Sequence, residues 1–113
     1  MEIKVESVSQ LLDIIIDGEV DANSSIELDG VIKSAMANNQ VKIMVNCQKL
    51  HYISSAGMGV FISHLDDIKR LGGRFVFYNM SEGVFSIFEI LGLHNMIDIV
   101  GKQQEAQTIL NES

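Results

Sequence analysis

The chain has 113 residues, of which 47% are hydrophobic and 20% are charged. This length and composition predict one folded globular domain, residues 1–113, with one core, and they exclude a disordered chain. With 15 acidic and 8 basic residues the formal net charge is -7. Nucleic acid and anionic membranes both require clustered cations, and no basic stripe is visible, so we expect neither as a partner. An acidic surface instead suits a basic protein partner.

The hydropathy and the cysteine content indicate a cytoplasmic compartment. No apolar run approaches the ~20 residues that span a bilayer, and the first residues, MEIKVES, alternate in polarity without the apolar stretch of a signal peptide. The single cysteine, Cys47, excludes an internal disulfide, and we expect a buried, inert thiol there. We therefore expect a protein of the reducing cytoplasm.

The first third of the chain predicts a β-hairpin followed by a helix. EIKVES alternates between apolar and polar residues and LLDIIIDGEV is rich in isoleucine, so both predict strands, joined by a turn at residues 8–10. In DANSSIELDGVIKSAMANN the apolar residues recur at helical spacing; they are Leu28, Val31, Ile32, Ala35 and Met36. The candidate N-caps of this helix are Asn23, Ser24 and Ser25. The Asn38-Asn39 pair ends it.

The remaining sequence alternates between strands and helices. VKIMVNC and RFVFYN are short and apolar, as expected of strands buried on both faces. Between them lies a predicted helix that ends at Gly72-Gly73, and its apolar face consists of Met58, Phe61, Leu65 and Ile68. Ser81 is expected to cap a third helix, whose apolar residues are Val84, Ile87, Phe88 and Leu91. MIDIV predicts a short strand and EAQTILNES a terminal helix that frays at its end.

This order of elements predicts the fold class. Strands that alternate with helices of about ten to fifteen residues imply parallel pairing through right-handed crossovers, and the leading hairpin adds an antiparallel pair. We therefore expect an α/β fold: a single domain with a mixed, mostly parallel β-sheet and helices packed on it. The chain contains no proline, so Gly, Asn, Asp and Ser must set the turns and the helix ends.

The stretch HYISSAGMGVF places two serines, Ser54 and Ser55, between an apolar run and a predicted helix. In an α/β sheet this corner lies at the carboxyl end of the strands, where such folds usually place their sites. The first N–H groups of a helix lack intrahelical partners and attract anions, so a hydroxyl here can cap the helix and a phosphate is favoured. The residues Ala56, Gly57 and Gly59 are small and leave the hydroxyls accessible to a large partner.

A second loop, GEVDANSS, also runs from a predicted strand into a predicted helix. If the two strands are parallel neighbours, Asp21 and Asn23 lie at the same edge of the sheet as Ser55. A carboxylate and an amide there can orient a hydroxyl. The simpler alternative, that Ser54 or Ser55 is only an N-cap, stays open on the residues alone.

The sequence gives little support to a catalytic serine or to a metal site. The order around Ser55 is not G-x-S-x-G, because Ile53 occupies the place of the first glycine. The histidines His51, His64 and His94 form no recognisable relay, and we expect surface or edge positions for them. One cysteine and three scattered histidines lack metal-ligand spacing, and no common nucleotide-binding motif occurs. We therefore expect no catalytic residue, metal or cofactor, and a hydrolase that uses Ser55 is the least supported alternative.

The run LHYISSAGMGVFISHLDDIKRLGGRFVFYNMSEGVFSIFEILGL resembles the central part of a STAS domain of the bacterial anti-sigma factor antagonist type. The family pattern is apolar-aromatic-apolar, then Asp-Ser-Ser/Thr/Ala-Gly-Leu-Gly, a helix, a Gly-Gly turn, a strand and a helix that ends near Leu-Gly-Leu. Upstream, IIIDGEVDANSS resembles the family's strand with Gly-Glu-Leu-Asp before the first helix, and FEILGLHNMIDI matches its ending. The resemblance covers essentially the whole chain and implies a STAS-like fold.

The resemblance also implies roles for individual residues. The family's phosphorylated serine stands two residues before the motif glycine, here Gly57, and so corresponds to Ser55. Ser54 replaces the usual aspartate, which removes one carboxylate beside the site and puts kinase recognition or affinity in question. Asp21 corresponds to the loop aspartate that contacts the serine in relatives. The expected partner-binding residues are Asp21, Asn23, Ser24, Ser54, Ala56, Gly57, Met58 and Gly59; for Met58 an exposed contact patch and core packing are both open.

The function that the resemblance implies is partner switching. The unphosphorylated domain binds an anti-sigma-type serine kinase, which otherwise holds a sigma factor or another output protein. The kinase phosphorylates Ser55 with Mg-ATP, which releases the domain, and a PP2C-type phosphatase removes the phosphate. The chain is then a substrate and a binding module, not an enzyme. A second hypothesis is a constitutive STAS interaction module that serves a non-sigma output, such as a transport complex or a signalling enzyme, without phosphorylation.

Overall fold

The computed structural model describes residues 1–112, in which strands and helices alternate after an initial hairpin. The strands are β1 (Glu2–Val8), β2 (Leu11–Val20), β3 (Lys42–Asn46), β4 (Leu50–Ile53), β5 (Arg74–Tyr78) and β6 (Asp98–Val100). The helices are α1 (Ser24–Ala37), α2 (Ser55–Arg70), α3 (Glu82–Ile90) and α4 (Gln103–Asn111), with a short 3₁₀ turn at Leu93–Asn95. The expected fraying at the last residue, Ser113, lies outside the described residues.

The strands form one mixed sheet in the order β1-β2-β3-β5-β6, with β4 paired to the end of β2. Only the β1–β2 pair is antiparallel; the other pairs are parallel. The hairpin turn contains Ser9 and Gln10, both at positive φ (51° and 69°), the geometry of a type I′ turn whose twist suits a hairpin. The predicted α/β fold with a mixed, mostly parallel sheet is therefore confirmed.

The pairing of β4 with β2 determines where the serines lie. Sequence reasoning did not separate this strand from the apolar run before it, because residues 47–49 form only a short bend between β3 and β4. The register of β2 shifts between Gly18 and Glu19, and Val20 then lies opposite Ile53. The two strands therefore end side by side at the carboxyl edge of the sheet.

The sheet has a hydrophobic cluster on each face, so the expected single core is divided by the strands. The larger cluster lies under α1, α2 and α3. It includes three phenylalanines in mutual ring contact, Phe61, Phe75 and Phe77, and a fourth, Phe88, that contacts Phe77. The smaller cluster lies under α4 and comprises Leu11, Met44, Val76, Tyr78, Ala106 and Leu110. Cys47 is fully buried, as expected, and burial raises the pKa of its thiol to about 12.

Two expectations about helix faces are wrong. Leu91 follows the last residue of α3 and is exposed, because the helix ends before the residue can return to the apolar face. His64, expected at the surface, is 7% exposed because it shares the inner face of α2 with Phe61 and Ile68. Its Nε2 lies 2.6 Å from Oδ1 of Asp29, which ties α2 to α1.

Asp13 is a buried carboxyl group on the face of the sheet that α4 covers. It is 2% exposed, and its Oδ2 accepts hydrogen bonds from the Tyr78 hydroxyl at 2.8 Å and from Nε2 of Gln103 at 3.1 Å. Its Oδ1 has no hydrogen-bond partner among residues 1–112. Burial raises the pKa of Asp13, and Glu6, directly opposite on β1, adds to the rise.

The raised pKa of Asp13 predicts a pH dependence of stability. The folded chain binds a proton at Asp13 more tightly than the unfolded chain does. Protonation of Asp13 should therefore increase the free energy of unfolding as the pH falls. We expect the difference in unfolding free energy, wild type minus Asp13→Asn, to increase from about pH 7 to about pH 4. Urea unfolding of both proteins across this range measures it. A difference that stays constant or decreases contradicts the assignment.

Candidate functional site

Two loops meet at the carboxyl ends of β2 and β4, and each leads directly into a helix. The Ser54 N–H donates to the carbonyl of Val20 at 2.8 Å, which joins the end of one strand to the start of the other loop. Asp21 and Asn23 follow Val20, and Ser55 follows Ser54. The expectation that these residues lie at the same edge of the sheet is therefore confirmed.

Ser54 is the N-cap of α2. Its backbone is extended (φ -79°, ψ 169°), and its Oγ accepts a hydrogen bond from the Gly57 N–H at 3.2 Å. Its carbonyl accepts from the Met58 N–H at 3.0 Å. The side chain is half-buried and satisfies one of the N–H groups that a helix leaves free at its start.

Ser55 is the first residue of α2, and its environment differs from that of Ser54. The residue is exposed, and its hydroxyl has no hydrogen-bond partner within the described part of the chain. The alternative that one serine is only a cap therefore applies to Ser54. Ser55 presents a free hydroxyl at the positive end of a 16-residue helix.

Asp21 precedes α1 and forms a reciprocal pair of hydrogen bonds with Ser24, the first residue of that helix. Its Oδ1 accepts from the Ser24 N–H at 2.9 Å, and its own N–H donates to Ser24 Oγ at 2.8 Å, as in a capping box. The expected N-cap Asn23 makes no capping bond. The backbone and side-chain hydrogen bonds from Ser24 lower the pKa of Asp21. The expected contact with Ser55 is wrong for this structure, since the carboxylate bonds Ser24 instead.

The residues after Ser55 divide into a buried pair and an exposed pair. A Cβ on Gly57 would lie 2.6 Å from Val20 Cγ1 and 2.8 Å from Ile53 Cγ1, so glycine permits α2 to approach the strands closely. Met58 is 2% exposed and packs in the larger core cluster. Of the two roles left open for Met58, core packing is therefore confirmed, and its place among the expected partner-binding residues is wrong. Ala56 and Gly59 are exposed and remain available to a partner.

Sequence reasoning did not single out the exposed apolar residues near these loops. Ile26, in the first turn of α1, is 73% exposed, and Tyr52, three residues before Ser55, is also exposed. Ile26 was detectable, because it falls outside the helical spacing of Leu28, Ile32 and Ala35. Tyr52 carried no such signal, since a residue of a short strand can face either side.

The surroundings of Ser55 leave its hydroxyl exposed at the start of α2. No histidine hydrogen-bonds Ser55 within residues 1–112, and His64 is engaged with Asp29. No cluster of three or more His, Cys, Asp or Glu side chains suited to a metal ion occurs in the described part of the chain. No helix within residues 1–112 has the length and hydropathy needed to cross a membrane. These features define an α/β domain that displays an accessible serine at a helix N-terminus.

A family model of the STAS domain matches residues 2–106, so the chain belongs to the STAS domain family. The anti-sigma-B factor antagonist of Listeria monocytogenes is 26% identical over 105 residues, which cover 93% of this chain and 91% of the relative. The anti-sigma-B factor antagonist of Bacillus subtilis is 30% identical over 89 residues, which cover 79% of this chain and 81% of the relative.

Solved structures confirm the STAS fold. The anti-sigma factor antagonist SpoIIAA in its unphosphorylated form superposes with a TM-score of 0.75 at 18% identity, and 99% of each chain is covered. The phosphorylated form of SpoIIAA from Bacillus superposes with a TM-score of 0.73 at 19% identity, covering 96% of this chain and 99% of SpoIIAA.

The different roles of the two serines predict different effects on stability. Ser54→Ala removes the N-cap and should lower the free energy of unfolding by about 1 kcal/mol. Ser55→Ala removes a hydroxyl without a partner and should change it by less than about 0.5 kcal/mol. Chemical denaturation of the two variants beside the wild type measures both effects, and equal losses would contradict the assignment of the cap.

The two glycines of α2 provide a second matched pair. Gly57→Ala places a methyl group against Val20 and Ile53 and should destabilise the fold by about 1–3 kcal/mol through overpacking. At Gly59 an added Cβ meets no atom within 4 Å, so Gly59→Ala should stabilise the helix by up to about 1 kcal/mol. Thermal unfolding distinguishes the two, and effects of the same sign contradict the close approach at Gly57.

Proposed function

We propose that this protein is an anti-sigma factor antagonist that acts by partner switching, with Ser55 as the phosphorylated residue. The observation that carries the proposal is the contrast between the neighbouring serines. The hydroxyl of Ser54 is engaged as a helix cap, whereas that of Ser55 is exposed and without a partner. A kinase can reach the second hydroxyl without disturbing the first.

The relatives support the same role. Both curated relatives are named anti-sigma-B factor antagonists, and the structural neighbour SpoIIAA is known in unphosphorylated and phosphorylated forms. In the proposed cycle, the unphosphorylated domain binds an anti-sigma-type serine kinase and frees its sigma factor or other output protein. Phosphorylation of Ser55 releases the domain, and a PP2C-type phosphatase restores it.

A phosphate on Ser55 should change the surface more than the fold. It adds about -1.5 to -2 charges near neutral pH, and the N-terminus of α2 stabilises a negative charge. The caps at Ser54 and Asp21 do not use the Ser55 hydroxyl, so they persist. The added phosphate should therefore weaken binding to a partner whose surface is complementary to the small hydroxyl.

The exposed members of both loops form the proposed contact surface, together with the two exposed apolar residues nearby. This surface comprises Asp21, Asn23, Ser55, Ala56, Gly59, Ile26 and Tyr52. Ser24 and Ser54 are half-buried and act mainly through the backbone positions that they hold. Asp21 is an exposed carboxylate, ionised at neutral pH like an ordinary aspartate, and this charge favours a basic patch on the kinase beside this loop.

Substitutions of Ser55 test the switch. We expect Ser55→Ala to bind the anti-sigma-type kinase and to remain bound when Mg-ATP is added. Ser55→Asp should bind at least about a hundredfold more weakly, a loss of about 2.7 kcal/mol. Immobilised Ser55→Ala is first used to retain the kinase from a native lysate. The kinase is then purified, and titration calorimetry measures its affinity for each variant.

Ser63→Asp is the matched control, because it adds the same charge to an exposed position two turns further along α2. It should bind as the wild type does. If Ser55→Asp binds as tightly as the wild type, the switch hypothesis fails.

Mass spectrometry of the protein from its native cells separates switching from a constitutive interaction module. Phosphate on Ser55 supports switching. A complete absence of phosphate across growth conditions favours the constitutive STAS module.

A further inference from the structure

Strand β1 leaves one edge of the sheet unpaired. All seven of its residues pair with β2 on one side, and β1 is the first strand in the order, so its other edge faces solvent. Val5, at its centre, is 48% exposed. An unpaired edge of this length is a template for another strand.

The hairpin turn determines which backbone groups face outward. In the turn around Ser9 and Gln10, the flanking residues Val8 and Leu11 form the hydrogen-bonded closing pair. Hydrogen-bonded and non-hydrogen-bonded pairs alternate along an antiparallel ladder. Even-numbered residues of β1 therefore bond β2, and the N–H and C=O groups of Ile3, Val5 and Ser7 point to solvent.

Charge complementarity selects one register for pairing with a second copy of this strand. A two-fold axis at Lys4 would oppose Lys4 with itself, and an axis at Glu6 would oppose Glu6 with itself, which is unfavourable. An axis at Ile3 overlaps only the start of β1. A two-fold axis at Val5 overlaps all of Glu2–Val8. It places Lys4 of each copy opposite Glu6 of the other copy, which gives two such pairs.

We propose that β1 is a homodimer interface, in which two copies pair antiparallel about Val5 to form one continuous sheet. In this register Val5 faces Val5, and Ile3 faces Ser7 of the other copy, so the outward-facing backbone groups of Ile3, Val5 and Ser7 all meet partners. Lys4 and Glu6 form no ion pair within residues 1–112 and are free to pair across the interface. A lysine in an edge strand usually prevents pairing, but here one register accommodates it.

A surface groove on the helix side adds apolar area to this seam. It has a volume of about 420 Å³ and runs between β1 and α1. Its apolar lining includes Val5, Leu12, Val31 and Ala35. Because Val5 lies on the proposed axis and lines the groove, the grooves of the two copies would meet there. The interface is small, so a weak dimer with a dissociation constant in the range of ~10 μM to ~1 mM is expected.

Charge reversal tests the register in solution. Sedimentation velocity of the full chain should show a monomer–dimer equilibrium up to ~1 mM at ~0.15 M salt, where long-range repulsion between the acidic chains is screened. Lys4→Glu and Glu6→Lys should each weaken the dimer at least about tenfold, and the double variant should restore it. Glu2→Lys is the control, since Glu2 faces Val8 of the other copy. Circular dichroism verifies that each variant is folded.

A cysteine at the proposed axis gives an independent readout. Val5→Cys should form a disulfide-linked dimer on mild oxidation, because the hydrogen-bonded pair brings its Cα atoms to about 5.5 Å. Ser7→Cys, also exposed, faces Ile3 and should not cross-link. The native Cys47 is buried and does not compete.

Three results overturn the dimer interface: a wild type that stays monomeric at ~1 mM, charge reversals without effect, or cross-linking at Ser7→Cys as efficient as at Val5→Cys. None of these results depends on phosphorylation of Ser55, so the two proposals fail separately.

Discussion

The hydrogen bond from the Ser54 N–H to the Val20 carbonyl holds the candidate site together. It aligns the ends of β2 and β4, so that the chain leaves both strands at the same point and enters two helices. Gly57 completes the arrangement, because a side chain there would separate α2 from Val20 and Ile53. The exposure of Ser55 therefore follows from strand pairing and close packing, not from loop flexibility.

The neighbouring serines acquire different roles through backbone geometry alone. An N-cap requires an extended backbone that turns its side-chain oxygen back towards the first N–H groups, and Ser54 meets this requirement. The next residue is already helical, so its side chain projects away from those groups. One position therefore stabilises the helix, and the following position can be modified at little cost to the fold.

Much of this arrangement could be predicted from the sequence, and the failures have physical causes. Alternation and helical spacing identify strands and helices because both patterns depend only on neighbours along the chain. The Ser-Ser-Ala-Gly motif pointed to the candidate site in the same way. The burial of Met58 and His64 depends on how α2 is rotated against the sheet and α1. Likewise, Asp21 hydrogen-bonds Ser24 in its own loop and not Ser55. The prediction that both loops lie at the same edge of the sheet does not reveal which of these two partners the carboxylate binds.

The stability of the two caps also determines how a signal can leave this domain. Asp21 and Ser54 hold their helices through bonds that exclude the Ser55 hydroxyl, and the underlying core is closely packed. A phosphate on Ser55 would therefore leave both caps and the packing of the core in place. In the proposed cycle the added charge acts where it meets a second surface, so the conformational or regulatory response is expected in the partner. The proposed role of Ser55 requires only an accessible hydroxyl on a closely packed domain.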